Sequence, residues 1–164
     1  MGTTSKPRKK YKPRPTLVNP LGYVLESMTR VADHSFDLVS LRILNSAAMV
    51  SLLRGTATKQ DMDKLVAMSN IVEALYQMGF GAEYKDVSIE GRVSILSIVE
   101  RAVKHGRFTP TGQEITALNA LMELHDAQMD VITVKDMERA VQYVRNKMRS
   151  KDRITLPTVP DNLR

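Results

Sequence analysis

Three threonines punctuate this chain. Thr58, Thr111 and Thr133 are each followed three residues later by a carboxylate: Asp61, Glu114 and Asp136. In that spacing the hydroxyl caps a backbone N–H of the first helical turn, and the carboxylate returns a hydrogen bond to the cap's own N–H. Each pair therefore marks the start of a helix, and an apolar helical period follows each one. Gly55, Gly79 and Gly106 stand where those periods stop, as expected for residues that close helices in the left-handed conformation. A chain punctuated in this way is committed to helices joined by short connections.

The periods fill in the elements. Pro20 suits a first helical position with Asn19 as its cap, predicting a short helix over 20–29 with Tyr23, Val24, Leu25 and Met28 on its apolar side. In 31–54, Leu38, Leu41, Leu44 or Asn45, Ala48 and Leu52 fit one helical face. Val39, Leu41 and Ile43 also alternate, which leaves 31–44 open to an extended reading. A helix is favoured there because no second strand is in sight. Helices are expected over 58–78, from Ala82 to Gly106, over 111–131 and over 134–148. The second of these would bury Tyr84, Val87, Ile95, Ile98, Val99 and Ala102. Its interior Gly91 costs about 1 kcal/mol against Ala, a cost that close packing of a neighbouring helix would explain. The last helix turns Met137, Ala140, Val141 and Val144 inward. The fold class is all-α: a compact bundle of five to six helices over 20–150, with an extended basic arm at 1–19 and an irregular tail at 151–164.

Composition is consistent with that reading and excludes several chemistries. At 164 residues with 43% apolar content, the chain can bury a core without covalent staples. It has no cysteine, which removes disulfides, thiolate zinc sites, iron–sulfur clusters and cysteine nucleophiles together. No apolar run approaches the roughly 20 residues of a membrane span. The basic N-terminus leads into no apolar stretch of roughly 7–15 residues, so no secretory signal is expected. Met62, Met68, Met78, Met122, Met129 and Met137 read as core residues, because methionine fills irregular gaps.

The charge is segregated. Lys6, Arg8, Lys9, Lys10, Lys12 and Arg14 stand in the first 14 residues with no acid among them. The rest of the chain holds 18 Lys and Arg against 18 Asp and Glu, so the net charge of +6 belongs to the arm. Pro7, Pro13, Pro15 and Pro20 exclude a continuous helix there. Such a segment can neutralise phosphates and release their counterions, and Tyr11 stands where it could stack on a base. The arm residues Lys6, Arg8, Lys9, Lys10, Tyr11, Lys12 and Arg14 are the candidate nucleic-acid contacts. Solubility, or an acidic protein surface as partner, are the competing uses.

Other groups point to chemistry less strongly. Glu123, Asp126 and Asp130 share a helical face and form a carboxylate row that could attract a cation. His125 points about 160° away from Glu123, falls in the apolar period with Ile115, Leu118, Leu121, Met122 and Met129, and is expected partly buried at the edge of the polar face. No Glu-x-x-His pair exists to complete a carboxylate metal site. His34 and His105 read as structural. No nucleophile elbow, phosphate loop or dinucleotide fingerprint is present. No catalytic residue, metal ligand or cofactor is assigned. The pair 111–131 and 134–148 is the best match to a helix-turn-helix. However, its second helix opens with Asp136 and Glu138, which would repel phosphate where groove contacts normally fall.

The arm Lys9-Lys10-Tyr11-Lys12-Pro13, the corner Arg54-Gly55-Thr56-Ala57-Thr58 with Asp61, and the runs Ala117-Leu118-Asn119 and Met122-Glu123-Leu124-His125-Asp126-Ala127-Gln128 form a set. It resembles uncharacterised small helical proteins of proteobacterial genomes, prophages and mobile elements. The resemblance implies a bacterial or phage context and a cytoplasmic location, and it brings no catalytic residues. The function expected is that of a non-enzymatic accessory protein. Its arm would contact DNA or RNA without sequence preference, and its bundle would contact a protein or itself. The alternative is a protein-interaction module, an inhibitor or adaptor of a host factor, with no nucleic-acid role. No membrane partner is expected.

Overall fold

The computed structural model describes residues 20–33 and 35–150. Within them lie six α-helices: α1 (Pro20–Ser27), α2 (Ser35–Leu53), α3 (Lys59–Gln77), α4 (Lys85–His105), α5 (Gly112–Val131) and α6 (Val134–Arg149). Short 3-10 turns at Val31–Asp33 and Ala82–Tyr84 lead into α2 and α4. The all-α bundle read from the sequence is the fold observed. The extended alternative for 31–44 is settled in favour of helix from Ser35 onward. The only β pairing among the described residues is an isolated antiparallel bridge of Arg30 with Thr133. It is made by Val31 N–H to Ile132 O and Val134 N–H to Thr29 O, both at 3.0 Å.

All three threonine caps form as the spacing requires. Thr58, Thr111 and Thr133 accept from the N–H of Asp61, Glu114 and Asp136, and each carboxylate accepts in return from the threonine's backbone N–H. Gly106 ends α4 at φ 75° with its N–H on Ala102 O. There a side chain would be strained, so glycine is the residue that lets the chain turn.

Ion pairs fix the order of the central helices. Arg42, early in α2, meets Asp126 and Asp130, late in α5. Glu73, late in α3, meets Arg92, early in α4, and Arg101, late in α4, meets Glu114, early in α5. Helices α2 to α5 therefore run up-down-up-down. α3 and α5 also pack on each other, so α2 and α4 lie to either side of them.

Helix α4 packs extensively on α5, and Gly91 lets the two come close. A Cβ at Gly91 would sit 2.8 Å from Leu121 Cδ2 and 2.9 Å from Leu121 Cβ. Leu121 itself is fully buried. The main core joins Leu52, Leu65, Val72, Ile98, Leu118 and Leu121 from the four central helices. Ala57 and Phe108, from the two connections at one end, are buried in this same core and close it. A second cluster of Leu38, Ala74, Leu75, Met129, Ile132 and Ala140 seats α6, which packs chiefly on α3. Glu73 ties the arrangement across three helices, accepting from Lys147 Nζ at 2.6 Å and pairing with Arg92. Among the methionines expected in the core, Met62, Met68 and Met129 are buried, while Met78, Met122 and Met137 are partly buried against it; Met49 is buried as well.

Three placements differ from the sequence reading. Tyr84 ends the 3-10 turn before α4 and is half exposed, because the chain has not yet entered the helix whose inner face it was expected to share. Val24 and Leu25 of α1, and Met28 just after it, face solvent with Leu21, so the apolar side of this short helix is its outer side. The side chain of Tyr23 lies outside the described residues. His125 lies not at the edge of a polar face but in the interior, at 1% exposure.

Candidate binding surfaces

The arm residues Lys6, Arg8, Lys9, Lys10, Tyr11, Lys12 and Arg14 lie outside the described residues, as do His34 and the tail at 151–164. The remaining candidates all have a defined geometry.

The carboxylate row of α5 is divided. Arg42 Nη2 donates to Asp130 Oδ1 at 2.8 Å and approaches the Asp126 backbone oxygen at 3.3 Å. Its Nε lies 3.3 Å from Asp126 Oδ1, an ion-pair distance, but is off the hydrogen-bond direction and makes no hydrogen bond. Two of the three carboxylates therefore face a fixed guanidinium, and Glu123 stays exposed. Among the described residues, no group of three or more His, Asp and Glu side chains is placed to hold a metal ion. The row is a clamp between α2 and α5. The sequence does not reveal this, because Arg42 is 84 residues from Asp126.

Behind the clamp lies His125. Its Nδ1 is 3.4 Å from Asp126 Oδ1. Burial holds the imidazole below its ordinary pKa and Arg42 pushes the same way, while Asp126 opposes both. One turn on, buried Gln128 donates through Nε2 to Phe80 O at 2.9 Å, which fixes the Gly79-Phe80-Gly81 corner against α5. These side chains are held inside the bundle.

A basic hollow at the far end of α4 is a feature the sequence reading missed. It has a volume of about 560 Å³ and is lined by Arg101, His105, Arg107 and Thr109. Arg101 is committed in part. Its two Nη atoms donate to Glu114 at 3.0 and 2.6 Å, and Nη1 also donates to Thr109 O. Burial works against the Glu114 charge, but Arg101 and Thr111 more than offset it and hold this carboxyl below its ordinary range. The signal was present in the run Arg101-x-x-Lys104-His105-Gly106-Arg107, whose cations cluster where the α4 dipole favours positive charge.

The helix-turn-helix reading fails on packing as well as charge, since α6 leaves the α5 corner to lie on α3. Asp136 there is engaged in the cap of α6.

The most unusual surface belongs to α2. At 100° per residue Val39, Ile43, Ser46, Val50 and Leu53 fall within about 80° of one another. All five are exposed. The four apolar members are 43–61% exposed, and Ala47 lies beside them in solvent. No charged side chain interrupts this stripe. The outer face of α4 also shows Ile89, Val93 and Val103, but Asp86, Glu90, Glu100 and Lys104 are interleaved with them. That is an ordinary solvated face, whereas the α2 face is apolar on both sides of the helix. Helices apolar all round are normally covered.

No family model, curated protein or solved structure matches the chain. Among the described residues no helix is long and apolar enough to cross a membrane.

Proposed function

We propose that this chain is a non-enzymatic accessory protein that works by binding. The arm makes a sequence-independent electrostatic contact with DNA or RNA, and the helical bundle docks on protein. The observation that carries the nucleic-acid part is the segregation of charge, with six cations and no acid in residues 1–14 against an electrically balanced remainder. Phosphate contacts position a protein on nucleic acid without reading sequence, and that is the contact such an arm supplies. Six of them make affinity fall about a thousandfold between 50 and 200 mM salt. Deleting residues 1–14 is therefore expected to abolish salt-sensitive retention on DNA or RNA while leaving the melting temperature unchanged. Retention that survives the deletion moves the contact onto the bundle, where the Arg101–Arg107 hollow is the place to look.

A second reading is a protein-interaction module without a nucleic-acid role, an inhibitor or adaptor of a host factor. The uncharged outer face of α2 favours it. Recovery of one stoichiometric partner after nuclease treatment, unchanged by loss of the arm, would support this reading over the first.

A further inference from the structure

We propose that the hollow at the end of α4 binds a terminal phosphate group, held by Arg101, His105, Arg107 and Thr109. The site lies on the bundle. It adds to the reading of the arm and does not rest on it.

The local fold assembles these residues. Arg101, Lys104 and His105 are spaced i, i+3 and i+4, so they share one face of the last turns of α4. Gly106 then turns the chain at φ 75°. The turn brings Arg107 and Thr109 to line the same hollow as Arg101 and His105. Phe108, between them, is buried at 1% exposure, while both its neighbours are exposed. One apolar side chain thus pins the connection to the core and leaves a polar one on either side of it facing out.

Arg101 is the fixed part of the site. Its Nη1 and Nη2 fork onto Glu114, and Nη1 donates again to Thr109 O. A guanidinium carries five N–H donors in one rigid plane, so three are used. The edge with Nε–H and the second Nη2–H makes no hydrogen bond among the described residues. Such an edge takes two oxygens of a phosphate side by side. Because the plane is already held, little side-chain freedom remains to be lost on binding. His105 and Arg107 have no hydrogen bond or ion pair among the described residues, so their donors are open as well.

Charge decides the class of ligand. None of the four lining residues is acidic. Glu114 cancels the charge of Arg101 but leaves its free edge. The C-terminus of α4 contributes about half a negative charge, and the neighbouring N-terminus of α5 about half a positive one, so the two dipoles offset each other. Arg107 then remains, with Lys104 exposed nearby, and the hollow favours an anion. The Arg101 edge, the Arg107 fork and the Thr109 hydroxyl offer donors for three oxygens. A terminal phosphate presents three, whereas a carboxylate or a phosphodiester presents two. The volume of about 560 Å³ is that of a small-molecule site, which leaves room for the group that carries the phosphate.

Titration of the full-length protein with inorganic phosphate at constant ionic strength, followed by backbone amide NMR shifts, tests the site. Shifts are expected to centre on His105, Arg107 and Thr109 and to saturate with a dissociation constant of about 1 mM, since only a few charge-assisted bonds form. Arg107→Ala should weaken binding about tenfold. Without phosphate its melting temperature should equal that of the parent, because this side chain is exposed and unpaired. Lys135→Ala removes a cation at the start of α6, the length of α5 or about 30 Å away, and should change nothing. Shifts confined to residues 1–14, or no saturation in the tens of millimolar, overturn the proposal. So does Lys135→Ala weakening binding as much as Arg107→Ala, which would mean diffuse attraction. A 5′-phosphorylated oligonucleotide and its 5′-hydroxyl form then separate the sources. A preference for the phosphorylated end that Arg107→Ala removes supports a strand terminus as the ligand. Saturable phosphate binding without that preference supports a small phosphorylated molecule. Arg107→Ala leaves the arm intact and deletion of residues 1–14 leaves the hollow intact, so the two proposals fail separately.

Discussion

Gly91 shows how one missing atom sets the spacing of two helices. Its exchange for alanine gains about 1 kcal/mol of helix propensity, yet the new methyl would lie 2.9 Å from Leu121 Cβ, which cannot rotate away. Overpacking of this kind costs roughly 1–3 kcal/mol. Gly91→Ala is thus expected to lower stability in urea unfolding despite its better propensity, and a shorter side chain at position 121 should restore part of it. His125 sets a pH dependence. Its folded pKa lies below the ordinary value because burial disfavours the cation. On acidification from about pH 6.5 the unfolded chain takes up a proton that the native chain refuses. Stability therefore falls as pH drops below that point and stops falling from this source once the folded pKa is passed. Unfolding free energy measured between pH 8 and 5 should fall less steeply in His125→Gln than in the parent. The lowered carboxyls of Asp61 and Glu114 act in the same direction, but only as pH falls below about 4.5, so the two windows separate.

The elements themselves were legible because their signals are local. A cap, a glycine stop and an apolar period all fall within one helix, and each of the three threonine boxes formed as spaced. Glu114 goes further than its box, since it also holds Arg101 of the preceding helix through two hydrogen bonds. Glu114→Ala removes the cap bond and the two bonds from Arg101, which keeps Thr109 O and water as partners, and it is expected to cost about 2 kcal/mol. Thr133→Ala, which loses the hydroxyl cap alone, should cost about 1 kcal/mol. Thermal unfolding of the two variants side by side measures the difference. Tyr84 and α1 were misread for the opposite reason. An apolar side on a short segment says which residues lie together but not whether a neighbour arrives to cover them. The α2 stripe was hidden in the same way. The alternation of Val39 and Ile43 also permits a strand, but what these residues mark is the face of the helix that the rest of the bundle leaves bare.

At the scale of the whole molecule, charge and apolar surface are kept apart. The excess cations lie at the start of the chain, and the uncharged seam lies on one flank of an electrically balanced bundle. Counting residues exposed the first, but only the packing could expose the second. The Arg42 clamp and the Arg101 hollow were equally out of reach, because each joins side chains from different helices through contacts that no spacing rule encodes. The bridge between Arg30 and Thr133 gives this layout a mechanical side. It fastens the segment after α1 to the α5–α6 corner through two hydrogen bonds lying side by side. Tension applied at the N-terminus, as when an arm held on a long polymer is dragged, reaches the bundle through this fastening. It loads the contacts of α1 with α6 first and the two bonds second, both ahead of any core helix. The segment in front of α2 can thus come away from the body in two steps while the core stays closed.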